Sequence, residues 1–345
     1  MKFSVGYQYP DDENGERFPE ILEDYREQVC ELYFAPGNEP GARSPAAMAS
    51  GLDEDEAWQI LLEDLAETRK MGIRLNLLFN ANCLGGECIG LSLQKRLLGI
   101  TENILNTVGL DSVTTASWFI AEILKEHFPQ LEIRASVNMK LGLLEALNYA
   151  AERFDGFCIQ RDINYHMDTL REIVRWAETN RKNLCLLANS GCLRNCAAQI
   201  FHDNLVAHLK DLNQEECCMT KDPVFCRRYY GDPRHRGEYL AHSTFIRPED
   251  ICHYEGMIPS MKLATRTHSN PRLVLEAYTS GKFSGNLFDL TEPGHGIFFR
   301  GQILDNSRIP ADYWKTRTLC RENCADCGYC RKVLENALIS CEELH

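Results

Sequence analysis

Several features that would decide the function of a 345-residue chain at once are missing from this one. There is no Walker loop, no G-x-G-x-x-G fingerprint and no H-E-x-x-H, so nucleotide binding and zinc-protease chemistry have no motif to rest on. No Ser-His-Asp order is recognisable. No apolar run approaches the length of a membrane span. The first fifteen residues, MKFSVGYQYPDDENG, hold one lysine and no long apolar centre, which predicts no secretory leader and a cytoplasmic protein. Internal repeats and low-complexity tracts are lacking too. Positive charge is scarce: 37 Lys and Arg stand against 50 Asp and Glu, a net charge of −13. That balance argues against DNA, against anionic membranes and against a broad direct grip on RNA. The best local basic stretch, RRYYGDPRHR at 227–236, reads as a solvated charged loop.

What the chain has in abundance is cysteine, sixteen of them. Without an export signal, such a number points to metal or catalysis rather than disulfides. Cys30, Cys158, Cys185 and Cys252 sit in apolar or strand-like runs and read as core filler. Cys192, Cys196, Cys217, Cys218, Cys226 and the four from Cys320 to Cys330 sit among polar residues.

The periodicity predicts strands at 2–8, 28–35, 74–80, 111–116, 131–137, 154–160, 184–188 and 261–264, with helices between them. Strand and helix alternating eight times predict an α/β fold, a parallel (β/α)8 TIM-like barrel over 1–283. A long cysteine-containing insertion near 211–243 separates the last two units, and a loop of that length is usually functional. From 284 to 345 the composition shifts to a small cysteine-rich C-terminal extension, with irregular or short β structure at 286–290, 294–299 and 301–307 and a terminal helix over 332–344.

A barrel of this kind carries its site at the C-terminal ends of the strands. Those ends supply Asn80, Asn82, Asn189, Arg161, Asp162 and Arg266. Arginines suit a carboxylate or phosphate, so Arg161, Asp162 and Arg266 are the catalytic candidates, and the three asparagines are candidates for holding substrate. The stretch NLCLLANSGCLRNC reads as a buried strand breaking at Asn189-Ser190-Gly191, with a helix from Cys192 onward. On such a helix Cys192 and Cys196 would share a face near its N-terminus, where thiolates are favoured. Cys226, with Cys217 or Cys218, completes a set suited to a cubane cluster at the barrel mouth, with Cys83 or Cys88 from the third strand's loop as substitutes. The run Cys320-x3-Cys324-x2-Cys327-x2-Cys330 has the spacing of an iron–sulfur or four-cysteine zinc site.

The segments LNLLFNANCLGG, DSVTTAS, EIRASVNMKLG, Asn-Ser-Gly-Cys and MKLATR resemble peptidase family U32, the collagenase-like proteases, over about residues 70 to 280. The resemblance implies a barrel with a [4Fe–4S] cluster on four cysteines. Several members of the family support oxygen-independent hydroxylation of tRNA, rRNA or a quinone precursor, with prephenate as hydroxyl donor in some. Cys192 and Cys196 match the family's cysteines after the seventh strand and Cys226 a later one, with Cys218 taken here as the fourth ligand. The close spacing of the first two and the C-terminal run depart from the usual signature. The expectation is therefore an iron–sulfur enzyme with one or two [4Fe–4S] clusters, zinc being the alternative in the C-terminal run. Its substrate would be a small aromatic carboxylate or an RNA base delivered by a protein partner. A metal-dependent peptidase and a non-catalytic electron-transfer or scaffold subunit are the competing expectations.

Overall fold

The computed structural model describes residues 1–10, 15–37, 53–208 and 224–341. Eight parallel strands close into a barrel: β1 Lys2–Gly6, β2 Val29–Phe34, β3 Arg74–Phe79, β4 Ser112–Thr115, β5 Glu132–Ala135, β6 Gly156–Ile159, β7 Asn183–Leu187 and β8 Ser260–Leu263. β1 closes the ring by pairing with both β2 and β8. The fold class is as the sequence predicts.

The outer strand faces are apolar, as parallel strands under helices must be. Leu32, Leu75, Val113, Ile133 and Leu186 are fully buried, as are Leu61, Leu97, Leu124 and Ile173 of the surrounding helices. Helix ends follow local chemistry. Asp53 caps Glu54–Lys70 in a reciprocal pair with Glu56, and Ser117 accepts the Ile120 amide ahead of Trp118–His127.

The barrel interior is different. Glu31 on β2 and Arg134 on β5 form a bidentate pair at 2.7 and 2.9 Å, and because these strands are not neighbours the pair must cross the inside of the barrel. Glu31 also accepts from Ser4 at 2.7 Å and Asn76 at 3.0 Å, and Asn76 in turn accepts from Thr114 at 3.0 Å. Aliphatic layers usually fill such barrels. Here an ionic, hydrogen-bonded network takes their place.

The C-terminal extension departs from expectation in detail. Of the irregular or short β structure expected near 286–299, the segments take the irregular form, as 3-10 turns Leu287–Leu290 and Gly296–Phe299. Short strands β9 Gln302–Leu304 and β10 Leu338–Ser340 pair antiparallel, and the terminal helix lies earlier, at Tyr329–Ala337. The basic stretch 227–236 is helical rather than an open loop. It lies in Phe225–Gly231 and Pro233–Arg236, where Arg234 pairs with Asp232 and Arg236 donates to the Tyr230 carbonyl at 3.1 Å. Among the described residues no helix is long and apolar enough to cross a membrane.

Candidate functional site

The segment after β7 corrects the expected helix. Helix begins only at Gln199 and runs to Ala207, so Cys192 and Cys196 are not stacked on one helical face. The reason lies in the partners of the intervening amides. Gly191 N donates to Glu292 O, Arg194 N to His242 O and Asn195 N to the Asp162 carboxylate at 2.7 Å. Ser190 and Leu193 form isolated bridges to Glu292 and Ser243. An extended chain held on both sides has no amides left for a helical turn, and Asn195 takes a left-handed φ of 51° to close the loop.

That loop, with the helix Phe225–Gly231, brings Cys192, Cys196 and Cys226 together. Burial pushes the Cys226 thiol up to about 11, and the neighbouring Cys192 and Cys196 push in the same direction. Burial also raises the Cys196 thiol, as does Cys192, while Lys140 and Arg161 act against them. Three soft donors and two cations thus share one end of the barrel. Cys218 lies outside the described residues. Among those described, no group of three or more His, Cys, Asp or Glu side chains already stands at metal-holding geometry.

The other candidates are placed as follows. Arg161 follows β6 directly and is buried, with an Nε that makes no hydrogen bond. Asp162 is buried beside it, accepting from Gln160 at 2.6 Å as well as from Asn195, so it shapes the cysteine loop. Arg266 lies beyond β8, close enough to oppose the rise that burial gives the Tyr33 hydroxyl and to add to the lowering that burial gives the Lys262 amine. Asn189 is fully buried, and its amide is wholly engaged with main chain: it donates to Ala264 and Leu290 and accepts from Ala264 N. It therefore seams β7 to β8 and to the C-terminal extension. Asn80 is half-buried, its carbonyl accepting from Asn138 at 3.3 Å. Asn82 donates to Asp203 at 3.4 Å.

The C-terminal cysteines lie beside the same end of the barrel. Cys320, Cys324 and Cys330 line a small cavity of about 20 Å³ together with Asp162, Arg194 and the buried Arg317. Burial raises the Cys330 thiol while Arg317, 3.9 Å from its sulfur, opposes that rise. Cys327 is exposed. Glu322, between Cys320 and Cys324, pairs with Arg194, between Cys192 and Cys196, and with His166 at 2.7 Å.

The sequence reading missed two further groups. One is the barrel interior, where Lys262 lies 3.7 Å over the Tyr33 ring and Cys158 meets Cys185 at 2.7 Å. The other is the partner of Cys83, a residue the sequence offers only as a substitute cluster ligand: its thiol is hydrogen-bonded to His208 and is held below its ordinary range chiefly by that bond. Charged residues at inward positions of the short strands, Glu31, Arg134 and Lys262, were the available signal.

No family model matches the chain. An uncharacterized protease of Methanocaldococcus jannaschii is 27% identical over 290 residues, 80% of this chain and 82% of the relative. The solved U32 peptidase Mk0906 superimposes with a TM-score of 0.52 over 77% of this chain and 92% of its own, at 12% identity, which shows a common fold. The curated relative is thus a protease by name and the shared barrel is that of a U32 peptidase, both in keeping with the resemblance carried by the motifs at the strand ends.

Proposed function

We propose that this chain is an iron–sulfur protein of the U32 type that takes part in an oxygen-independent hydroxylation, or a related modification, of a small aromatic carboxylate or an RNA base. The observation that carries the reading is that Cys192 and Cys196 lie near enough to Cys226 to raise its thiol, with Arg161 close to Cys196, at the C-terminal end of the barrel. Thiols from two separate segments are the donor chemistry of an iron–sulfur cluster, and hard cations take oxygen instead. In this reading Cys218 is the fourth ligand, and the bound cluster supplies one-electron chemistry. Arg161 and Arg266 hold the substrate carboxylate, and Asp162 keeps the cysteine loop in place through Asn195. The net charge of −13 favours a small molecule, or RNA brought by a partner, over direct RNA binding. Cys320, Cys324, Cys327 and Cys330 hold a second centre, a cluster or a zinc.

Iron, sulfide and zinc analysis of anaerobically purified protein tests this directly. About eight irons mean two cubanes, and about four with one zinc make the C-terminal centre structural. Cys192→Ser and Cys226→Ser should remove the barrel iron alone. Iron-free wild-type protein would overturn the reading.

A peptidase is the second reading, favoured by the Cys83–His208 hydrogen bond, since a thiol lowered by a histidine is a nucleophile in waiting. Under it, demetallated protein cleaves a peptide and Cys83→Ala abolishes the cleavage. Unchanged cleavage by Cys83→Ala would remove its basis.

A further inference from the structure

Cys158 and Cys185 face each other inside the barrel. They are register partners on the adjacent parallel strands β6 and β7, and their sulfurs are 2.7 Å apart. Neighbouring strands run about 4.8 Å apart, within the roughly 4.4–6.8 Å that two Cα atoms need for a disulfide. Both side chains are buried. The hydrogen bond from Cys185 holds the Cys158 thiol below its ordinary range against the effect of burial, with Lys262 and Arg134 acting the same way. Cys185 is correspondingly raised, first by that same bond. One sulfur is thus prepared to attack while the other keeps its proton. Lys262 beside them is half-buried.

We propose that Cys158 and Cys185 are a redox-active pair, a covalent modification site that closes reversibly to a disulfide under a small two-electron oxidant of the peroxide class. The Cys158 thiolate attacks one peroxide oxygen, the O–O bond breaks, and hydroxide leaves to be protonated to water. The sulfur of Cys185 then displaces the second oxygen from the sulfenate, again as water once protonated. Two thiols and one hydrogen peroxide give one disulfide and two waters, with two electrons passing from sulfur to oxygen. A dithiol reductant reverses the closure by exchange. The location gives the event a reader. Cys158 lies three residues before Arg161 and Cys185 seven before Cys192, so the bond would tie together the two strands that present the candidate site.

The experiment is peroxide titration of the reduced full-length chain, followed by alkylation under denaturing conditions and tryptic mapping. Peptides 154–161 and 183–194 carry the two cysteines, and fragmentation separates Cys185 from Cys192 in the second. The expected result is loss of both thiols at one shared rate, a linked peptide pair joined through Cys158 and Cys185, and its recovery with a dithiol. In Cys185→Ala, Cys158 should instead accumulate as a sulfenate that dimedone captures. The proposal is overturned if both cysteines still alkylate after the exposed Cys252 has been fully oxidised, or if Cys158 links to another cysteine. Wild-type mapping alone decides the matter should the variant fail to fold. Iron content plays no part in the readout.

Discussion

Arg194 and Glu322 form an ion pair that joins two loops of the same design, Cys-Leu-Arg-Asn-Cys and Cys-Arg-Glu-Asn-Cys. Each charged partner stands midway between two cysteines, and each loop contains a residue of positive φ, Asn195 and Glu322. The Arg194 side chain is 13% exposed and that of Glu322 33%, so the contact is partly shielded from water. It docks the C-terminal cysteines onto the strand ends of the barrel.

Glu322→Gln should therefore loosen the C-terminal run while leaving the barrel folded. The stability loss is modest, about 1 kcal/mol. Limited proteolysis reads it: cleavage near residues 320–328 should quicken in the variant. Identical cleavage kinetics would show that the pair contributes nothing to docking.

The Glu31–Arg134 pair predicts acid sensitivity. Burial alone would raise the Glu31 carboxyl, but Arg134 and the hydrogen bonds from Asn76 and Ser4 bring it down to about 2. A folded-state value below the unfolded one stabilises the fold above pH about 4.5, and that contribution is lost as pH falls toward 2. Urea midpoints between pH 6 and 2 should fall in wild type across that window. Arg134→Met, which leaves a buried carboxylate unpaired, should cost about 3–5 kcal/mol at neutral pH and reverse the contribution of Glu31 to the acid dependence, since burial then raises its carboxyl. A midpoint flat in pH for wild type counts against the network.

Gly191 is required by contact rather than by backbone angle. A Cβ at this position would lie 2.0 Å from the Pro293 carbonyl oxygen, where the extension crosses the cysteine loop. Gly191→Ala should cost about 1–3 kcal/mol as the two segments separate. The barrel iron should fall with it. Wild-type thermal stability in the alanine variant would mean the crossing can yield without consequence.

Arg161→Gln and Arg266→Gln separate an enzyme from a carrier. If these arginines hold a substrate carboxylate, both variants keep their iron and absorbance spectrum while substrate turnover is lost. Retained turnover would move the substrate site elsewhere, and loss of iron would assign the arginines to cluster support.

Every barrel strand was legible to within two residues at either end, because alternation with helices and short apolar runs is local information. The loop after β7 was not. Its cysteine spacing matches a helix, but its amide partners, His242 and Glu292, lie about 50 and 100 residues downstream, beyond any local pattern. The barrel interior was also hidden. Strands such as VCELYF read as buried on both faces, and Glu31 within one looks like an exception until Arg134 is seen across from it. Cys158 and Cys185 read as filler for the same reason: each lies in an apolar run, and only the β6–β7 register places them together. Cys192, Cys196 and Cys226 could be grouped from residue type, whereas the Cys83–His208 contact depends on the end of a helix folding back over the loop after β3.

A barrel filled with aliphatic side chains can drift, one methyl group at a time, because neighbours of similar size repack. One held by Glu31, Arg134, Asn76, Ser4 and Thr114 cannot, since each lost member strands the others without water. Change at these positions must come in compensating sets. Among relatives that keep this barrel, the five should be inherited or replaced together, so the centre of the fold records descent more faithfully than its apolar shell.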